Sequence, residues 1–184
     1  CAVYQTVGSE REEREQVRMT NEVLTDLRGV SQAVLNAETG QRGYLITLDR
    51  RYLESYLSGR EQIDPALSRL ETSLADDATA RQKELFDRIE TLAAAKFAEL
   101  DTSVRMLDNG RLIDARREVL SDEGHETMAR LRRSINEMER IELDLLRRAT
   151  AETARAEARV LPLLGGWGLL LILARASTAR LVAR

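Results

Sequence analysis

The chain is poor in the residues that usually carry catalysis or covalent cross-links. Its 184 residues include one cysteine, Cys1, and one histidine, His125. A lone cysteine excludes an internal disulfide, and the two residues together cannot build a zinc site of the Cys/His type. The lack of disulfides leaves the compartment open, because a helical domain of this size needs no such staple. One histidine also cannot supply the paired Glu-x-x-His motifs of a di-iron bundle. No metal, cofactor or catalytic residue is expected. Aromatic residues make up 4% of the sequence and there are two prolines. Strands favour aromatic and β-branched side chains, so this balance points away from sheet. A net charge of −3 offers no basic footprint, and nucleic acid is not an expected partner.

Charge is abundant, at 32% of the residues, and apolar positions recur at spacings of three and four, the pattern of amphipathic helices. The first helix is expected from about Ser9 to Ile46, with Ser9 as N-cap, a length of roughly 55 Å. A second carries Tyr52, Tyr56, Ile63, Leu67, Leu70 and Leu74, with Thr47 or Asp49 as its cap. Pro65 should kink this helix without stopping it, because the apolar rhythm continues in phase. The polar turn Asp76-Asp77-Ala78-Thr79 leads into a third helix bearing Phe86, Ile89, Ala93, Phe97, Leu100, Val104 and Leu107, which Asn109-Gly110 should end. A short helix is expected around Leu112 to Leu120. The last long helix has the cleanest repeat, Met128, Leu131, Ile135, Met138, Glu142 and Leu145. The fold class is therefore all-α: a long up-down-up-down four-helix bundle continuing into a C-terminal transmembrane helix.

That membrane segment is Val160 to Ala174, which contains no charge. As a helix it covers roughly 22 Å, short of a hydrocarbon core of about 30 Å. Snorkelling by Arg159 and Arg175, or local thinning, would close the gap. Gly165, Gly166 and Gly168 offer a small-residue surface for close helix contact in lipid. A buried hydrophobic hairpin or an interfacial segment is the competing reading. Residues 175–184 hold three arginines and no acid, as a cytoplasmic stub would. Arg147, Arg148, Arg155 and Arg159 on the other flank weaken that asymmetry. Residues 1–8 read either as the end of a first membrane helix or as a frayed terminus, and 9–159 as the bundle.

One stretch breaks the helical rule, Asn36-Ala37-Glu38-Thr39-Gly40-Gln41-Arg42-Gly43-Tyr44-Leu45-Ile46-Thr47-Leu48-Asp49. The stripe Val17, Thr20, Leu24, Leu27, Ser31, Val34 continues through Glu38 and Gln41 before Leu45 and Leu48. The core-facing side thus turns polar for one turn. A buried carboxylate costs several kcal/mol unless it is paired, and Arg42, one turn on, is the nearest cation. Gly40 and Gly43 lower helix propensity by roughly 1 kcal/mol each and let another backbone come close.

The run Ala37 to Leu45, followed by Thr47, Asp49, Tyr52-Leu53 and Tyr56, resembles the signature of the third CHASE family. Glu142, Leu145, Leu146 and Arg148 are similar to that family's closing motif. The resemblance implies a sensory domain outside the bacterial cytoplasmic membrane, on the periplasmic side. It further implies a homodimer, a membrane helix upstream, and a histidine kinase or nucleotide cyclase effector beyond Arg184. Glu38, Thr39, Gln41, Arg42, Tyr44, Thr47 and Glu142 are the candidate polar layer, with Gly40 and Gly43 as close-packing positions. Two readings of that layer stay open. In one, Glu38, Gln41, Arg42 and Glu142 form a structural latch between the first and last long helices. In the other the layer admits a small-molecule stimulus, with Tyr44, Tyr52 and Tyr56 as walls. A non-sensing, membrane-anchored scaffold is the alternative function. His125-Glu126 resembles a phospho-accepting box, but no proline follows it and no Gly-rich nucleotide loop occurs, so His125 reads as a solvated helix-start residue.

Overall fold

The computed structural model describes residues 2–74, 78–120, 124–148 and 150–151, with side chains from residue 14 onward. Among the described residues every regular element is helical: α1 (Ala2–Thr47), a 3-10 turn (Arg50–Tyr52), α2 (Leu53–Leu74), α3 (Ala80–Asp108), α4 (Leu112–Val119) and α5 (124–148). The chain forms two compact units, Arg18–Asp144 and a second made of Cys1–Val17 with Leu145–Arg184. In the second unit the described residues are helical, as the start of α1 and the end of α5. Among the described residues no helix is long and apolar enough to cross a membrane, and the expected segment Val160–Ala174 lies outside them.

Within Arg18–Asp144 the long helices alternate in direction. Asp26 of α1 accepts from Ser73 of α2 at 2.6 Å, whereas Asn36 of α1 meets Ser55 at 3.2 Å. Partner numbers on α2 fall as those on α1 rise, so the two are antiparallel. The Tyr56–Asp101 bond and the stacking of Arg60 over Phe97 set α3 antiparallel to α2. Gln82–Glu142 and the approach of Glu99 to Gly124 do the same for α5 against α3. Buried Leu27, Val30, Val34, Ile63, Leu70, Leu85, Ile89, Leu100, Leu131 and Met138 fill the middle. Burying each such side chain fully contributes roughly 1.5–3 kcal/mol.

Local chemistry accounts for most boundaries. Thr79 caps α3: its hydroxyl oxygen accepts from Gln82 N–H, and the Gln82 side chain accepts from Thr79 N–H, a reciprocal capping box. Asn109 is the C-cap, and Gly110 takes a φ of 73°, which glycine adopts without a Cβ clash. α2 runs on through Pro65. Two expectations are corrected. α1 begins by Ala2, so Ser9 lies inside the helix and is not its cap. A cap contributes only about 1 kcal/mol, and here upstream residues continue the backbone ladder instead. Leu48 does not extend the buried stripe. It is 54% exposed at a φ of 55°, and its N–H returns to the Tyr44 carbonyl at 2.8 Å, ending α1 in a left-handed residue.

Candidate functional site

The polar turn of α1 faces inward. Glu38 is 7% exposed and Gln41 is 1% exposed. Glu38 meets Arg42 Nη2 at 3.0 Å on its own helix, Lys96 Nζ at 3.5 Å from α3 and Arg132 Nη2 at 4.0 Å from α5. Lys96 is buried as well, with 4% of its side chain exposed, and it reaches both carboxylate oxygens of Glu99 at 3.0 Å. The acid that breaks the apolar stripe is thus answered by cations from three helices. Gln41 Nε2 donates to Ser103 Oγ at 2.7 Å, and the Ser103 hydroxyl donates to the Leu100 carbonyl at 2.9 Å. Tyr44 donates to Asp108 at 2.9 Å, and Arg50 stands 3.5 Å from the same carboxylate. Burial, then the Asp108 bond, holds the Tyr44 phenol above its ordinary pKa, with Arg50 opposing.

The glycines set how close α2 can come. A Cβ on Gly40 would run into the Tyr56 backbone nitrogen and lie 2.7 Å from the Tyr52 carbonyl oxygen. At Gly43 it would fall on the Tyr52 ring, 2.7 Å from Cγ. Tyr52 covers this face from outside and is 46% exposed, so it is no wall of an internal chamber. Tyr56 is buried and donates to Asp101; burial and that bond raise its pKa.

Not all the candidate residues meet. Thr39 is exposed. Thr47 is exposed too, its hydroxyl donating to the Gly43 carbonyl at 2.8 Å and accepting from Asp49 N–H. Glu142 is buried but bonds elsewhere: Gln82 Nε2 donates to it at 2.6 Å. Along α3, Gln82 lies roughly 21 Å from Lys96. Glu142 therefore belongs to a second polar site, and a latch joining it directly to Glu38, Gln41 and Arg42 is not what the helices build. Desolvation raises the Glu142 pKa, with the Gln82 bond opposing.

Lys96, Glu99, Ser103, Asp108 and Gln82 escaped the sequence reading. Lys96 was findable, because it lies three residues after Ala93 and four before Leu100, inside the apolar rhythm of α3. Gln82 and Ser103 also fall on the buried face of that helix. Glu99 and Asp108 carry no such signal.

Beside Glu38 is a cavity of about 250 Å³, lined by Glu38, Gln41, Arg42, Lys96, Glu99, Val119, Leu120, Gly124 and His125. A larger opening of about 670 Å³ lies between α1 and α2 around Asp26, Arg69 and Ser73. It is a surface groove distant from the polar turn. The smaller cavity is the one the inward-facing charges line.

The helical bundle thus holds a charged layer, buried at Glu38 and Lys96 and open to solvent at Arg42 and Arg132, with a cavity beside it. The chain belongs to the CHASE3 domain family, whose pattern it matches over residues 13–152. It is similar to the crystal structure of the Rhodopseudomonas palustris histidine kinase HK9 sensor domain, with 28% identity and a TM-score of 0.63. That likeness covers 70% of this chain and 98% of the other. No curated protein matches the chain. Together these findings support a sensor domain.

Proposed function

We propose that this chain is the extracytoplasmic input domain of a bacterial transmembrane receptor. It receives a stimulus at the bundle and passes it through the first and last long helices to a cytoplasmic histidine kinase or nucleotide cyclase. The observation that carries the reading is the likeness to a histidine kinase sensor domain across nearly all of that domain's length. The uncharged run Val160–Ala174, followed by arginines and no acid, supports an anchor in the cytoplasmic membrane with the bundle on the periplasmic side. The input domain itself is non-catalytic, and two copies pair in the membrane.

The transmitting device is the charged layer. Lys96 of α3 stands between Glu38 of α1 and Glu99 of its own helix, with Arg132 of α5 at the edge. Two packings of such a layer differ by a few kcal/mol, enough for a stimulus to shift helix positions. Replacing Glu38 by Gln in the receptor that carries this chain should change its basal or stimulated kinase or cyclase output. Normal expression with unchanged output would remove the layer from the signalling path.

A further inference from the structure

We propose that the cavity beside Glu38 binds a small oxyanion, a carboxylate or a phosphate. This deepens the sensor reading, but it is measured on the protein alone. At about 250 Å³ the cavity lies below the ~300–1,000 Å³ of sites for drug-sized ligands, so the occupant is small.

Charge gives the sign. The lining holds two carboxylates, Glu38 and Glu99, and two cations, Lys96 and Arg42. Arg132 is not part of the lining, but it approaches Glu38 to 4.0 Å and adds positive charge next to it. Both carboxylates are already engaged: Glu99 receives Lys96 at both oxygens, and Glu38 receives Arg42 with Lys96 close by. Glu99 is also pressed against the backbone of α5. A Cβ on Gly124 would lie 2.7 Å from its Cδ, so the carboxylate rests in space that a side chain on that residue would take. A cation entering here would have to displace Lys96 from both acids.

The donors are less committed. Arg42 gives Glu38 a contact through Nη2, while a guanidinium carries five N–H groups in a fork that fits carboxylate and phosphate oxygens. Arg42 and Arg132 are each more than half exposed, at the open side of the layer, whereas Lys96 is sealed at its base. The walls come from α1, α3, the end of α4 and the start of α5, so an occupant touches every element that would have to shift.

The test is thermal unfolding of the full chain in mild detergent. Acetate, succinate and inorganic phosphate are titrated separately against chloride at equal ionic strength. A saturable rise in midpoint with at least one oxyanion and none with chloride is expected. Response to a carboxylate alone assigns an organic acid, and response to phosphate alone assigns phosphate. Arg42→Gln, at an exposed position, should still fold and should weaken half-saturation roughly tenfold, the loss of one charge-assisted contact. Arg60→Gln, which removes the guanidinium over Phe97 at a separate cavity of about 320 Å³ between α2 and α3, should leave half-saturation unchanged. Absence of a saturable shift with all three anions overturns the proposal, as does an unchanged half-saturation in Arg42→Gln. Either result leaves the sensor reading standing on receptor output.

Discussion

Two acids interrupt apolar stripes in this chain, and the bundle treats them differently. Glu38 sits among Arg42, Lys96 and Arg132. Glu142 has one described partner, the amide of Gln82, which also closes the capping box of α3. In the first site charge answers charge, and side chains from three helices depend on one another. In the second a neutral dipole stands against a carboxylate that burial disfavours. The sequence signal is the same, but the consequences are opposite. A buried ion pair resists loss of one member, whereas a carboxylate beside an amide tolerates becoming neutral.

The sharpest way to break the contrast is Lys96→Met. It would strip Glu99 of its two contacts with Lys96 and Glu38 of its buried cation. Removing one member of a buried pair costs about 3–5 kcal/mol, so the urea midpoint should fall steeply at an unchanged slope. A loss under about 1 kcal/mol would mean that solvent, not Lys96, answers the acids. Gly40→Ala comes next, because the glycines belong to the first site alone. The added methyl meets the backbone of the α2 region, and forcing apart a packed contact costs about 1–3 kcal/mol. Thermal unfolding that matches the parent would show that the helices separate freely there.

The smallest effect distinguishes the acids directly. Glu38→Gln should destabilise by about 1–3 kcal/mol, by leaving cations undercompensated, while Glu142→Gln should be neutral or stabilising at pH 7. The sign follows from linkage. The folded pKa of Glu142 is raised, so its contribution to stability is complete below the unfolded carboxylate pKa and is lost as pH rises through the folded value. Glu142→Gln should remove that part of the pH dependence. A parent whose stability curve between pH 4 and 7 superimposes on that of Glu142→Gln would contradict the raised pKa.

Much of this was legible beforehand. Apolar spacing placed Ile89, Ala93, Phe97, Leu100, Val104 and Leu107 on one face of α3, and all are buried. Asn109-Gly110 marked its end through backbone chemistry that is local by nature. Glu38 and Arg42 were readable as a pair because one helical turn joins them. Tyr52 was misread, since helical spacing alone does not say that the chain between α1 and α2 tightens into a 3-10 turn and turns the ring outward.

What the sequence determined by itself was whatever rests on neighbours three or four residues apart: helices, their ends, the buried face of each, and the presence of an acid that demanded a partner. What only the tertiary structure decided was who that partner is. Gln41 finds Ser103, Glu38 finds Lys96 and Glu142 finds Gln82, pairings that span 58 to 62 positions. These depend on the axial register of one helix against another. That register follows from close packing at positions such as Gly40 and Gly59, where the backbone of a neighbouring element fixes how far two elements slide.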